Sequence, residues 1–201
     1  GLPLNENGDR VGGPFAWLTW YAVLGGVAVV AFCWIHALAF VRLKTDGPVR
    51  ERAGTLFTRW LPLAVLPLVA WVLIVLLEND SAVGWALLAV AALALVVSIA
   101  TARAGREGVS FIALGLMLAT GVAAIFTAVF PVVLPSTLDP AFNLTIYNAS
   151  SSPYTLKLMS IVAAFGVPLV LAYQSWSYWV FRKRVKEEHI PEAHHPEPIV
   201  K

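Results

Sequence analysis

The sequence predicts an all-α, polytopic membrane protein: a helix bundle with five transmembrane helices. Three observations predict it. Of the 201 residues, 59% are hydrophobic and 13% charged, against roughly 45–50% and about 25% in soluble globular domains. Apolar residues gather into five runs of about 20 residues or more, long enough to cross a bilayer core roughly 30 Å thick. Eight Trp and five Tyr supply amphipathic rings suited to the two headgroup levels. The formal net charge of +2 is small, and no nucleic-acid partner is expected. One cysteine, Cys33, excludes an internal disulfide framework and a cysteine-only metal cluster.

Residues 1–13 (GLPLNENGDRVGG) are polar and turn-forming, so they read as a loop outside the bilayer. They lack the basic start and apolar run of a signal peptide. With no Met at the start, the chain reads as the later part of a longer product. The first apolar run covers 14–41, with Trp17, Trp20 and Tyr21 at its start and Arg42 and Lys44 at its end. Residues 45–56 are expected to be a loop, with Asp46-Gly47-Pro48 as its turn. The second span, 57–77, contains Pro62 and Pro67, which predict a bent helix packed against protein. The third, 82–101, is mostly Ala, Leu and Val, and Arg103 and Arg106 close it. The fourth, 108–130, offers Gly115 and Gly121 for close helix packing. A long loop over 131–153 leads to the fifth span, 154–181, in which Pro168 predicts a kink. The whole transmembrane region is placed at 14–185. The charged, proline-containing tail over 186–201 is expected to be disordered.

Basic residues orient the spans. Of 14 Lys and Arg residues, Arg10 and Lys157 alone lie in the segments facing one side. The rest cluster in the turns after the first and third spans and in the tail. The start of the chain is therefore expected outside and the tail in the cytoplasm.

An ionisable residue inside a bilayer is costly and marks a functional candidate. His36 lies about two turns from the end of the first span, and Cys33 shares its face. As a haem or metal ligand His36 lacks a second histidine, and Cys plus His is half a zinc site. The plainer alternative is a neutral histidine packed in the bundle. Met117 and Met159 are axial-ligand candidates, with core packing as the plainer role. Lys157 either snorkels to the outer surface or pairs with a partner's carboxylate or propionate. Tyr173, Gln174, Ser175 and Ser177 form a polar patch beside Trp176, Tyr178 and Trp179. It reads as an aromatic belt with interhelical bonds, or as quinone or lipid contacts centred on Tyr173, Gln174 and Trp176. Asn143-Leu-Thr145 and Asn148-Ala-Ser150 match the glycosylation pattern. The simpler reading makes Asn148, Ser150, Ser151 and Ser152 local caps, with Ser151 or Ser152 the N-cap before Pro153. Asn148, Ser150, Ser151, Ser152, Tyr154 and Lys157 together are the candidate loop cap or subunit interface. The tail histidines His189, His194 and His195 read as solvated. No catalytic residue and no metal site emerge, so any chemistry is carried mostly by something else.

Two stretches carry a family resemblance. FPVVLPSTLDPAFNLTIYNASSSPYTLKLM and GVPLVLAYQSWSYWVFRKRV, within 130–185, resemble subunit II of cytochrome bd quinol oxidases. PFAWLTWYAVLGGVAVVAFCWIHALAFVRLKTDGPVRERA resembles that family too. The resemblance is most specific at NASSSPYTLK and weakest in the third span. It implies an eight-helix protein whose fourth to eighth helices are this chain, with the first three absent. The family's early-helix acidic residues, thought to serve proton entry, have no counterpart here.

The resemblance further implies a heterodimer in the bacterial cytoplasmic membrane. Its haem-carrying subunit I would hold two b-type haems and one d-type haem, oxidise quinol and reduce dioxygen to water, contributing to proton motive force. This chain would bind no haem directly, and would serve as scaffold among membrane lipids. A structural quinone and small accessory subunits are compatible with that role. The rival expectation is a haem-free transporter or channel component, built on broken helices near the bilayer midplane.

Overall fold

The computed structural model describes residues 1–186; all but Lys186 of the expected disordered tail, with its three histidines, lies outside the described residues. Among the described residues there are six α-helices: α1 (Trp20–Lys44), α2 (Gly47–Ala64), α3 (Leu66–Glu78), α4 (Ala82–Arg103), α5 (Glu107–Val129) and α6 (Pro153–Val180). α2 and α3 run on from one another, so five stretches are long and apolar enough to cross a membrane. The protein is thus a helical, multi-pass membrane protein. Successive spans reverse direction. Segment 1–19 and loop 130–152 meet at one end, and the arginine-rich turns meet at the other.

Each bundle helix buries one narrow stripe. On α1 it is Gly25, Ala28, Phe32, Ile35 and Ala39, spaced by three and four residues as one helical face requires. α4 buries Gly84, Ala91, Ala94, Ser98 and Ala102, and α5 buries Ser110, Ala113, Leu114, Met117, Gly121 and Ala124. In lipid, burying apolar side chains gives little net drive between helices, so close packing of small residues and hydrogen bonds must hold them. α4 and α5 use both. Ser98 Oγ donates to the Ser110 carbonyl at 3.0 Å, and Ser110 Oγ donates to the Ser98 carbonyl at 2.9 Å. Gly121 faces Val72 of α3, while Gly115 lies beside the His36 ring. Met117 is core packing, 4% exposed.

Several boundaries differ from the sequence expectation. The first helix starts at Trp20 rather than 14, because Thr19 caps it by accepting from Ala22 N at 3.2 Å. The expected loop over 45–56 is mostly helix. Asp46 is the N-cap of α2, its Oδ1 accepting from Gly47 N at 3.1 Å. Gly47 takes the left-handed φ of 63° that the tight entry needs, and Pro48 follows. The first turns of α2 are charged yet amphipathic, with Ala53, Phe57, Leu61 and Ala64 on the buried face. Reading apolar runs alone misses that period. The second span breaks at Val65, between Pro62 and Pro67, each of which removes a helical N–H donor. α6 continues unbroken through Pro168. Loop 131–153 is also more ordered than expected. It holds β1 (Val132–Leu134) antiparallel to β2 (Leu144–Thr145), with a 3₁₀ turn, Pro140–Phe142, between them. The N-terminal segment joins this cap, with Leu2 N donating to Pro135 O at 3.0 Å and Ser136 Oγ to Leu4 O at 3.0 Å.

α1 to α5 form a bundle of four spans, and α6 stands apart from it. No residue of α6 is buried, and of the five candidate spans it is the least apolar, though still apolar enough to cross a membrane. Phe165 and Leu169 remain 78% and 74% exposed. α6 is held at its two ends, by the loop cap before Pro153 and by a short segment that folds back after Phe181.

Candidate functional site

The arginine-rich end is organised around one carboxylate. Glu107 opens α5, where the positive end of the helix favours an acid, and it is 6% exposed. Three arginines reach it. Arg42, in the last turn of α1, donates Nε to Oε1 at 3.2 Å, and Arg50 of α2 donates Nε to the same oxygen at 2.9 Å. Arg184, after α6, donates Nη2 to Oε2 at 2.7 Å. Arg42 Nη2 also donates to the Ala102 carbonyl, at 3.1 Å, where α4 ends. One side chain therefore ties α1, α2, α5 and the segment after α6, and through Arg42 the end of α4.

The arms are unequal. The Arg42 and Glu107 side chains are 15% and 4% exposed, so they form a buried pair, and removing one partner of such a pair costs about 3–5 kcal/mol. The side chains of Arg50 and Arg184 are 38% and 36% exposed, which puts each of these bridges nearer 0.2–1 kcal/mol, roughly the surface value. Arg42 Nη1 is buried without a hydrogen-bond partner. The cluster joins helices and offers no nucleophile or proton-transfer pair.

Beside it lies a slot of about 610 Å³ between α1 and α6. Phe40, Tyr178, Val180 and Phe181 make its apolar wall; Lys44, Lys183 and Arg184 stand at its rim. The folded-back segment closes it. Val185 N donates to Lys44 O at 2.8 Å, and Lys44 Nζ donates to Phe181 O at 3.1 Å. Gln174 lines the slot, but Tyr173 and Trp176 do not. Those two pack together on another face of α6, ring centroids 6.2 Å apart. Gln174 therefore lies on a different face of α6 from Tyr173 and Trp176.

His36 sits in an aromatic sandwich. Its ring stacks on Phe32 and Phe111, with centroid distances of 5.3 and 4.5 Å, and its Nδ1 is buried without a hydrogen-bond partner. His36 is the one histidine among the described residues. Cys33, on the same helix, is exposed. Among the described residues no group of three metal-ligating side chains converges.

At the other end the loop cap is a hydrogen-bonded unit. Asn148 Oδ1 accepts from Thr145 N at 2.6 Å and from Thr145 Oγ1 at 3.1 Å, while its Nδ2 donates to Asn143 O at 3.1 Å. Asn143 Oδ1 accepts from Ser136 N at 2.7 Å. Both sequons thus have their asparagines engaged in the loop's own bonds. Ser152 is the N-cap of α6, accepting from Thr155 N at 3.3 Å. Ser150, Ser151, Tyr154 and Lys157 are exposed.

Sequence reasoning missed Glu107. Its signal was present, an acid in the first turn of a span just after Arg103 and Arg106. Its partners, though, lie 65, 57 and 77 residues away.

A family model described as cytochrome bd terminal oxidase subunit II matches residues 1–181. The chain is 33% identical over 193 residues to cytochrome bd ubiquinol oxidase subunit 2 of Bacillus subtilis (strain 168), covering 94% of this chain and 57% of that protein. It is 33% identical over 117 residues to cytochrome bd-I ubiquinol oxidase subunit 2 of Escherichia coli (strain K12), which is 58% of this chain and 31% of that one. A probable cytochrome oxidase subunit 2 of Haemophilus influenzae is 34% identical over 100 residues, 50% of this chain and 26% of its own length. The chain spans a little over half the length of the Bacillus relative and less than a third of the other two. Matched in one stretch from the first residue through the end of its last helix, the chain belongs to the cytochrome bd terminal oxidase subunit II family.

Proposed function

We propose that this chain serves in the haem-free subunit II of a cytochrome bd-type quinol oxidase. A haem-carrying subunit I lies beside it, holds two b-type haems and one d-type haem, oxidises quinol and reduces dioxygen to water. The complex contributes to proton motive force, and this chain supplies no catalytic residue. One observation carries the reading. A chain matched to the family through the end of its last helix has a lone described histidine whose ring is stacked between two phenylalanines. A scaffold role fits that donor set, and the exposed flank of α6 offers apolar surface for a neighbouring subunit or for lipid.

The proposal includes orientation. The arginine-rich end, with Arg42, Arg50, Arg52, Arg103 and Arg106, faces the cytoplasm, and the cap built from 1–19 and 130–152 faces outside, in keeping with the positive-inside rule. The face formed by Asn148, Ser150, Ser151, Tyr154 and Lys157 is then an outer surface available to subunit I. A structural quinone and small accessory subunits are compatible with this arrangement and are not needed for it.

Deletion of the gene tests the proposal. Membranes of the deletion strain should lose the haem d bands and the quinol-driven oxygen uptake of this oxidase. Normal haem d bands with full oxygen uptake would contradict it.

A further inference from the structure

The slot between α1 and α6 has a chemistry that the scaffold role does not use. Two hollows described at the arginine-rich end differ in charge. The hollow flanked by α2 is lined by Arg42, Arg50 and Arg103 but also by Asp46, Glu51 and Glu107, so it is balanced. The α1–α6 slot is lined by Lys44, Lys183 and Arg184, with no carboxylate among its described lining residues. Glu107 takes a single N–H of Arg184, leaving four other donors on that guanidinium. Lys44 spends one of three N–H donors on Phe181 O. Lys183 makes no ion pair among the described residues.

Within about two helical turns of these cations the slot wall mixes apolar Phe40, Val180 and Phe181 with the neutral polar side chains of Ser177, Tyr178 and Gln174. Cations at one end and an apolar wall carrying a few neutral donors make the slot amphipathic. We propose that this slot binds one anionic glycerophospholipid. Its phosphate sits on Lys44, Lys183 and Arg184, its ester carbonyls accept from the Ser177, Tyr178 or Gln174 side chains, and an acyl chain lies along Phe40. A neutral quinone head would leave Lys44 and Lys183 without a counter-charge among the described residues. Free phosphate would leave the apolar wall unused. The lipid also gives α6 what its own residues lack, a packed connection to the bundle between its two tethered ends.

The test uses the intact complex carried through detergent exchange and then reconstituted with defined lipid, with retained lipid counted by native mass spectrometry. Phosphatidylglycerol should be retained at about one per complex and phosphatidylcholine should not. Near an anionic headgroup each lysine contributes about a fivefold factor. Lys183→Gln should therefore lower retention about fivefold, and Lys44→Gln with Lys183→Gln about thirtyfold. Lys183→Arg should retain it. Lys183 makes no side-chain bond within the described fold, so its single variant remains informative if the double variant fails to assemble. Equal retention of phosphatidylcholine, or unchanged retention in Lys183→Gln, would overturn the proposal. So would displacement by inorganic phosphate alone, or recovery of a quinone bound in the lipid's place.

Discussion

Removing the Glu107 side chain should unfasten the arginine-rich end, and the structure sets the size of the effect. Glu107→Ala leaves Arg42 buried without its anion, which costs about 3–5 kcal/mol. The Arg50 and Arg184 bridges are more than a third exposed, so each adds at most about 1 kcal/mol. Glu107→Gln keeps an oxygen that accepts from Arg42 Nε, recovering about 1 kcal/mol as a neutral hydrogen bond. For a chain of this size, each kcal/mol shifts Tm by about 2–4 °C. Through the Arg42 pair alone, Glu107→Ala should therefore lower Tm of the purified complex by about 6–20 °C, with Glu107→Gln in between. The assay is thermal unfolding in detergent at neutral pH, followed by tryptophan fluorescence. A double-mutant cycle adds the sharper readout. Glu107 should couple to Arg42 by several times more than to Arg184. Equal coupling, or a Glu107→Ala shift under about 2 °C, would refute the reasoning that burial makes Arg42 the dominant partner.

Other expectations follow from the same structure. Ser98→Leu places a large side chain where α4 and α5 touch; Ser98 is fully buried, so overpacking should cost about 1–3 kcal/mol and lower the yield of folded protein, whereas Ser98→Ala, which loses the Oγ bond to the Ser110 carbonyl, should cost about 0.6–1 kcal/mol. Asn148→Ala removes the side chain that bonds Thr145 and Asn143; purified yield should fall while turnover per haem stays constant, and the reverse pattern would contradict a capping role. His36→Ala empties the aromatic sandwich and should destabilise the bundle by about 2–4 kcal/mol, yet leave every haem band in the assembled complex. Loss of one haem band from an otherwise intact complex would reassign His36 as a ligand.

The spans and their order were legible because hydropathy over about 20 residues is a strong local signal in a bilayer. Ser152 before Pro153 was also readable, since a helix start depends on a few adjacent residues. The start of α2 was not, because Arg50, Glu51 and Arg52 hide an amphipathic face that runs through Ala53 and Phe57. α6 posed a different problem. It is apolar enough to span a membrane, though the least so of the five spans, and that composition does not announce whether the helix packs on the bundle or stands off it with no buried residue. The Glu107 cluster needed three dimensions, since its arginines come from three distant segments. The slot beside it depends on the same fold-back, which brings Val185 to Lys44. Local chemistry was written locally, and the site at the arginine-rich end was written in tertiary structure.

The central proposal is that this chain serves in a haem-bearing quinol oxidase without binding the haems itself. The most direct measurement is a reduced-minus-oxidised visible spectrum of the complex that co-purifies with a tag on this chain, before and after its subunits are separated. The account predicts b-type and chlorin-type d haem bands in the complex, with all haem following the partner subunit. A complex without haem, or haem that stays with this chain, would contradict it.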